Sequence, residues 1–578
     1  MDRDLDVVFD TVAGETLERC WGTLKSVAES PNPTHDAMFP KLTEAQIARL
    51  ASSGVRRSVA EGEIIFEQGA VGRSFFVVLE GSVEVVSPSA NGETLITIQR
   101  AGDFTGEMDI LSGRPSLVRA RATTASELIE IDPATLRRIV QTDADLGEFL
   151  LRVFVRRRVG LISGALGDVV LIGSRHSADT LRLKEFLARN GHPHTYLDVE
   201  RDTTVLDLLE RFGIPLTDIP VLICRDQSPL RNPSNAEVAR CLGFNLEIDE
   251  TRVHDLIVVG AGPSGLGAAV YAASEGLDVL ILESNAPGGQ AGSSSRIENY
   301  LGFPTGITGQ DLAGRAFIQA EKFGAQIAIA RAAIGLTCDH RPFTVECAGA
   351  DPVRGHALVI ACGAEYRRLP IPNVGQFEGV GIYYGATLLE AQLCADQEVI
   401  IVGGGNSAGQ AAVFLSGIAK HVHVLVRGAG LAESMSRYLI RRIEESPTIT
   451  LRTRTQVVGL EGNGSLERVS WKNQESGELE TRAIGHLFSM TGASPNTAWL
   501  HGCVAIDDKQ FVKTGADLDP QDLEAAGWPL RRQPFLFETS VPRVFAIGDV
   551  RSGSVKRVAS AVGEGSVVVQ LVHRVLAE

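Results

Sequence analysis

The stretch that decides the fold is Asp255–Glu283, DLIVVGAGPSGLGAAVYAASEGLDVLILE. An apolar, β-branched run, Leu256–Val259, enters the turn Gly260-Ala261-Gly262-Pro263-Ser264-Gly265. An alanine-rich helical pattern follows, then a second apolar strand, Val279–Leu282, that ends in Glu283. Each part has a physical task in holding a dinucleotide. Gly260 permits the tight turn, Gly262 lets backbone approach a pyrophosphate, and Gly265 lets helix and strand pack closely. The pyrophosphate meets free N–H groups and the positive end of the helix. Glu283, 23 residues beyond Gly260, is spaced to accept hydrogen bonds from a ribose hydroxyl.

With 578 residues the chain exceeds one core, and about 150 residues per domain allows about four domains. Its 44% hydrophobic and 22% charged residues are those of a soluble globular protein. A net charge of −16 speaks against nucleic-acid or acidic-membrane binding. No apolar run approaches the length of a membrane span, and the acidic start MDRDLDVVFD lacks the basic region of a signal peptide. The eight cysteines are scattered, which excludes a zinc ribbon and any Cys-x-x-Cys pair; no metal site is expected, and a cytoplasmic location is.

Residues 1–38 read as an extension without chemistry. Residues 39–160 carry short alternating strands punctuated by glycine, the pattern of a β jelly roll, flanked by helical patterns at Thr43–Ala51 and Pro133–Phe154. Gly62, Ile64, Gly69, Phe76, Val78, Gly81 and Val83, with Phe104-Thr-Gly-Glu107-Met108, resemble cyclic-nucleotide-binding domains. The resemblance implies that Glu107 takes a ribose hydroxyl. It also places Ser116 where the family has its phosphate-binding arginine, with Arg114 and Arg119 as the nearest substitutes. A hydroxyl does not replace a bidentate guanidinium. The barrel is therefore expected to serve docking, or to sense another effector at Glu107 and Ser116, rather than to bind a cyclic nucleotide.

Residues 165–248 read as βαβ followed by a hairpin: strand Val169–Ile172, helix Asp179–Arg189, strand Thr195–Val199, helix Thr204–Phe212 and strand Ile219–Ile223, with Pro220 heading the last. This α/β module resembles the thioredoxin/glutaredoxin fold. The family's dithiol falls on Ser174-Arg-His-Ser177, and two serines provide no thiolate for exchange. Cys224 and Cys241 are expected to be small core residues, and the module a non-catalytic dock.

After Glu283 come Pro287-Gly-Gly289-Gln290, SRIENYLGFP and Leu358-Val-Ile-Ala-Cys362-Gly363-Ala364. A second turn, Gly403-Gly-Gly405-Asn406-Ser407-Ala408, opens another strand–helix–strand unit that ends in Arg427, and TSVPRVFAIGDVRSGSVKRVASAVGEG closes the series at 539–565. Together these resemble the pyridine nucleotide-disulfide oxidoreductases, in their thioredoxin reductase branch. The resemblance implies two Rossmann-like three-layer α/β domains: an FAD domain split into 253–372 and 488–578, and an NAD(P)H domain, 373–487, inserted between. It assigns Gly260, Gly262, Pro263, Ser264, Gly265, Glu283, Gly289, Gln290, Asn299, Gly363, Asp549, Arg557, Val558 and Ala559 to FAD. Gly403, Gly405, Asn406, Ser407, Ala408 and Arg427 fall to the nicotinamide nucleotide. Arg427, where an NAD site carries an acid, favours NADPH over NADH. Cys362 is expected to be structural, and a homodimer is implied.

One part of the family pattern is missing. The dithiol that precedes the second motif in thioredoxin reductases has no counterpart between Gly381 and Cys394. Cys394 is a lone thiol, the one catalytic candidate or else core, and Tyr383 and Tyr384 are candidates to cover a flavin face. The expected activity is an NAD(P)H-dependent flavoprotein oxidoreductase that passes electrons to an external small-molecule or protein acceptor. The alternatives are a disulfide reductase working through the thiols of a thioredoxin-like partner, and a flavin-based sensor or scaffold.

Overall fold

The structure is a computed structural model. It describes residues 39–578 except 90–91, 107–109, 111–114, 164–168, 202–204, 206–208, 210–213, 225–228, 246–247, 250 and 501. Residues 39–110 and 116–163 form one compact unit, and those from 169 onward a second. The expected extension 1–38, the effector residue Glu107 and all but two positions of the helix Thr204–Phe212 lie outside the described residues.

The first unit has the expected β-rich build. Strands β1 (Val55–Val59), β3 (Phe75–Glu80) and β7 (Ser126–Ile131) make one sheet, in the order β1-β7-β3. β2 (Ile64–Phe66), β4 (Ser82–Ser89), β5 (Gly92–Arg100) and β6 (Arg119–Ala122) make another, in the order β2-β6-β4-β5. Phe75 anchors the interior against Phe104 and Phe154, with ring centroids 5.8 and 6.1 Å away. The helix Glu44–Ala51 starts at Thr43, which forms a reciprocal capping box with Gln46. The single helical pattern read over Pro133–Phe154 is two helices, Pro133–Thr142 and Ala144–Ser163. Asp143 breaks it by leaving helical geometry, and its carboxylate accepts from the Leu146 N–H at 3.1 Å while pairing with Arg49 at 2.8 Å.

The second unit begins with a small mixed sheet. β8 (Val169–Gly173) pairs in parallel with β9 (Thr195–Asp198) and antiparallel with β10 (Val221–Cys224), which in turn pairs with β11 (Leu230–Arg231). Helix Ala178–Arg189 buries Leu183, Phe186 and Leu187 against it, and the Ile219–Pro220 peptide is cis. One expectation is corrected here. Cys224 and Cys241 are not isolated core thiols; they form a disulfide with S–S 2.48 Å. Their separation of 17 residues conceals that β10 and the helix Asn235–Cys241 pack side by side. Cys338 and Cys503, 165 residues apart, are likewise joined, with S–S 2.24 Å.

The first large lobe is a sheet of β12 (Val253–Val259), β13 (Val279–Glu283), β14 (Gln326–Ile329), β15 (Ala333–Thr337), β16 (Phe343–Cys347) and β17 (Ala350–Ile360), in the order β14-β13-β12-β17-β16-β15. The chain then leaves through β18 (Ala364–Tyr366). The second lobe is a parallel sheet with β19 (Ile382–Tyr383), β20 (Glu398–Val402), β21 (His421–Leu425) and β22 (Ile449–Arg452). A three-stranded antiparallel sheet, β23 (Thr455–Glu461), β24 (Arg468–Asn473) and β25 (Leu479–Arg482), follows, and then β26 (Leu487–Ser489) enters the parallel sheet between β19 and β20. The chain returns through β27 (Ala493–Pro495), antiparallel to β18, and adds β28 (Val544–Ala546) in parallel to β17. The β12, β13, β20 and β21 runs are apolar because both sheet faces are covered, the burial that parallel sheets require.

The small module is fastened to the first lobe. Asn245 exchanges hydrogen bonds with the Ile329 backbone at 2.6 and 2.9 Å, Asn235 donates to Asn285, and Gln310 donates to the Ala188 carbonyl at 2.7 Å. It also reaches the second lobe, where Leu181 packs against the core around Ile401 and Val424.

Candidate functional site

The Gly260 turn sits at the carboxyl end of β12, where the register continues into helix Pro263–Ser274. Gly260 has φ of 108°, and a Cβ there would lie 2.4 Å from the Ala361 carbonyl oxygen. A Cβ on Gly265 would fall 1.9 Å from the Gly260 oxygen, which is why neither position admits a side chain. At Gly262 a Cβ would meet only Gly289 Cα, at 4.0 Å, so the space over this turn is open. The helix that starts here has no side-chain cap, and its first N–H groups are left for a ligand.

Glu283 is buried at the end of β13, accepting from the Ala261 and Asn285 N–H groups at 2.8 Å each. Burial pushes its carboxyl up in pKa, against the pull of those two donors. The Gly289 loop lies opposite; Gln290 donates to the Ala364 carbonyl at 2.5 Å, and Arg189 of the small module donates to the Gly289 carbonyl at 2.8 Å. Asn299 is exposed in the loop beyond. Gly363 has φ of 64° with open space around it. Asp549 is half-buried, and burial raises its carboxyl pKa. Arg557 precedes helix Val558–Ala577, another long helix whose start carries no side-chain cap, with Val558 and Ala559 in its first turn.

The second motif repeats these features. Gly403, with φ of 148°, packs against the Met490 carbonyl, and Gly405 stands before helix Asn406–Leu415, again uncapped and with nothing near its missing Cβ. Ala408 is buried in the lobe core. Asn406 accepts from the Ser436 N–H at 2.8 Å, and Ser434 donates to the Gly404 carbonyl at 2.9 Å, so the segment leading to Arg437 is tied to the turn. Arg427 is exposed and has no ion pair among the described residues. Tyr366, at the end of β18, packs against the second lobe's core, and burial raises the pKa of its phenol. Tyr366 therefore joins the strand that leaves the first lobe to the core of the second. These open cradles, uncapped helix starts and the buried acid fit two dinucleotides.

Several residues that hold the site were missed by reading the sequence. Glu564 accepts from the Gly548 N–H at 2.6 Å and pairs with Arg551 at 2.7 Å, fixing the Asp549 turn from 15 residues downstream. Gly565 lets its helix press on the first, since a Cβ there would lie 2.5 Å from the Ser264 oxygen. Arg189 arrives from another module. None of these carries a local signal.

Of the two readings of Cys394, its surroundings are those of core, and both tyrosines are held by residues of the second lobe. Cys394 is fully buried in the second lobe's core beside Val399 and Ala408, and burial pushes its pKa up to about 11. It holds almost no thiolate at neutral pH. Cys394→Ser is expected to leave the rate of flavin reduction by NADPH within about two-fold of the parent, measured by stopped-flow absorbance. Tyr383 packs its ring against Phe488 at 5.2 Å, and its hydroxyl meets His486 at 3.3 Å. Tyr384 donates to Glu378 at 2.7 Å. Cys362 is structural as expected, its thiol donating to the Asn496 carbonyl. In the barrel, Ser116 is buried and bonded to Val118 within its own loop, and Arg119 is held by Glu67 and Glu93; Arg114 lies outside the described residues.

The family described as pyridine nucleotide-disulphide oxidoreductase matches residues 254–565. This chain belongs to that family. It is a flavoprotein oxidoreductase, and the family's cofactors are FAD and NADPH. The cyclic nucleotide-binding domain family matches residues 56–143. Thioredoxin reductase of Bacillus subtilis (strain 168) is 28% identical over 331 residues, covering 57% of this chain and 97% of that protein. NADPH-dependent thioredoxin reductase 3 of Arabidopsis thaliana is 32% identical over 331 residues, covering 56% of this chain and 58% of that protein. Among solved structures, T. acidophilum thioredoxin reductase superposes with TM-score 0.50 at 27% identity, over 57% of this chain and 100% of that one. Among the described residues no helix is long and apolar enough to cross a membrane, and no cluster of metal-binding side chains occurs.

Proposed function

We propose that FAD is held by the first lobe, 253–372 with 488–578, and NADPH by the second, 373–487, and that electrons leave to an external acceptor without an internal dithiol. When bound, the two cofactors supply a hydride donor and a two-electron acceptor. The protein's own part is to bind, align and keep water away. Glu283 takes the ribose, the uncapped starts of helices Pro263–Ser274 and Asn406–Leu415 take the phosphates, and the start of Val558–Ala577 favours negative charge on a reduced flavin. The observation that carries the reading is the pair of open glycine turns, at Gly262 and Gly405, each standing before a helix without a side-chain cap. Anaerobic titration with NADPH is expected to bleach the flavin band near about 450 nm. A band that stays oxidised under excess NADPH would falsify the reading.

Arg427 is assigned to the 2′-phosphate. Arg427→Ala is expected to weaken NADPH about ten-fold, the loss of one charged hydrogen bond, and to leave NADH unchanged, as read from KM for each nucleotide. Equal losses for both would move the discrimination elsewhere.

A second reading is favoured by the names of the relatives, which are thioredoxin reductases. In it a partner's thiols complete the route, and the small module, 165–248, taken as thioredoxin-like with Ser174 and Ser177 in place of a dithiol, acts as a dock. NADPH-dependent reduction of a panel of thioredoxins, run beside quinones and dioxygen, separates the two.

A further inference from the structure

A cleft of about 460 Å³ lies between the small module and the second lobe. That is within the size of small-ligand sites, roughly 300–1,000 Å³. On the lobe side its wall is built from Gly379–Gly381, Gln397 and Gly485–His486, the residues just before β19, β20 and β26. These three strands are mutually parallel, so the cleft stands at their amino ends, whereas the Gly403 turn stands at the carboxyl end of β20. A five-residue strand separates the ends by about 17 Å. The cleft is therefore distinct from the dinucleotide site.

Its two walls differ in chemistry. The lobe wall is uncharged: Val380, Leu389, Leu393 and Leu466 are apolar, and burial pulls His486 down to about 4, leaving it neutral. The module wall holds Arg175, Lys184 and Arg201, with His176, Tyr196 and Asp198. Glu200 stands beside it, 3.3 Å from both Arg175 and His176. Three cations thus face two carboxylates, Asp198 and Glu200. Arg175 takes Glu200, and neither Lys184, whose ammonium lies 4.2 Å over the Tyr196 ring, nor Arg201 has an ion pair among the described residues. Burial pulls the Lys184 pKa down and the nearby Asp198 carboxylate offsets only part of that, so this ammonium has lost water without a directly paired counter-ion.

We propose that this cleft binds a small organic anion, its charge set between Lys184 and Arg201 and its apolar body against Leu389, Leu393 and Leu466. Such a ligand touches both walls and so binds only where the module is seated on the lobe.

The probe is 1-anilinonaphthalene-8-sulfonate, one sulfonate on an aromatic body, titrated by fluorescence into the full-length FAD-loaded protein saturated with NADP⁺. Saturable binding that tightens at low salt is expected. Lys184→Gln and Arg201→Gln should each raise Kd about ten-fold, Lys184→Arg should restore it, and the exposed Arg441→Gln should not change it. Flavin absorbance and melting temperature check that each variant is folded. Arg201 is exposed, so its variant remains informative if Lys184→Gln fails to fold. Titrations in both glutamine variants that match the parent, or an absence of saturable binding, overturn the proposal.

Discussion

Gly265→Ala is expected to yield protein almost without flavin. The added methyl would fall 1.9 Å from the Gly260 carbonyl oxygen, and the obstacle is backbone, which has no rotamer in which to retreat. Either the turn or helix Pro263–Ser274 must shift. Overpacking costs about 1–3 kcal/mol and more where backbone resists, so about 3 kcal/mol is a fair expectation here. Spent on the turn that holds the pyrophosphate, this weakens FAD by roughly 100-fold. The ratio of flavin to protein absorbance after gel filtration measures it. Gly314→Ala, at a helical glycine with nothing within 4 Å, is the control and should keep its flavin. Full occupancy in Gly265→Ala would mean that this turn does not carry the cofactor.

The second large effect is on stability. Glu538 is fully buried, pairs with Arg532 at 2.6 Å, and accepts from the Phe535 and Arg543 N–H groups at 2.9 and 3.0 Å. Arg532 also holds Glu578 at the end of the last helix, so one carboxylate organises the approach to β28 and the closing helix together. Glu538→Ala leaves a partly buried guanidinium and two backbone donors without their acceptor. Removing one partner of a buried pair costs about 3–5 kcal/mol. Urea unfolding of the full-length protein, followed by flavin release, should show that loss, and Glu538→Gln should recover part of it by retaining the backbone acceptor. A change under about 1 kcal/mol in Glu538→Ala would refute the central role of this carboxylate.

Much of this was legible in the sequence because the dinucleotide turns are local. Gly260, Gly262, Gly265 and Glu283 are spaced by the geometry of one strand, one helix and the next strand, so their pattern survives in one dimension. The same holds for Gly403 to Arg427. What could not be read depends on chain segments that meet late. Cys224 and Cys241, Cys338 and Cys503, and Arg189 against Gly289 are joined only after sheets and helices have packed. The packing of Tyr383 was hidden for a related reason. Proximity in sequence to the missing dithiol said nothing of which way its strand would turn, and β19 directs the ring into its own lobe. Asp143 divided a helix that looked continuous because the apolar period continues through it, while its side chain found partners outside the helical frame.

The strand pair β18–β27 is the strap by which the second lobe hangs from the first. A panel on one strap can swing. Here the small module is bolted to the first lobe through Asn235 and Asn245, and it presses Leu181 on the core of the second. Swinging the second lobe about the strap has to shear that contact, so the angle between the two dinucleotide turns is set at two places. The small module has leverage whatever its own chemistry. It is a strut, and its seating governs how far apart the Gly260 and Gly403 turns are held.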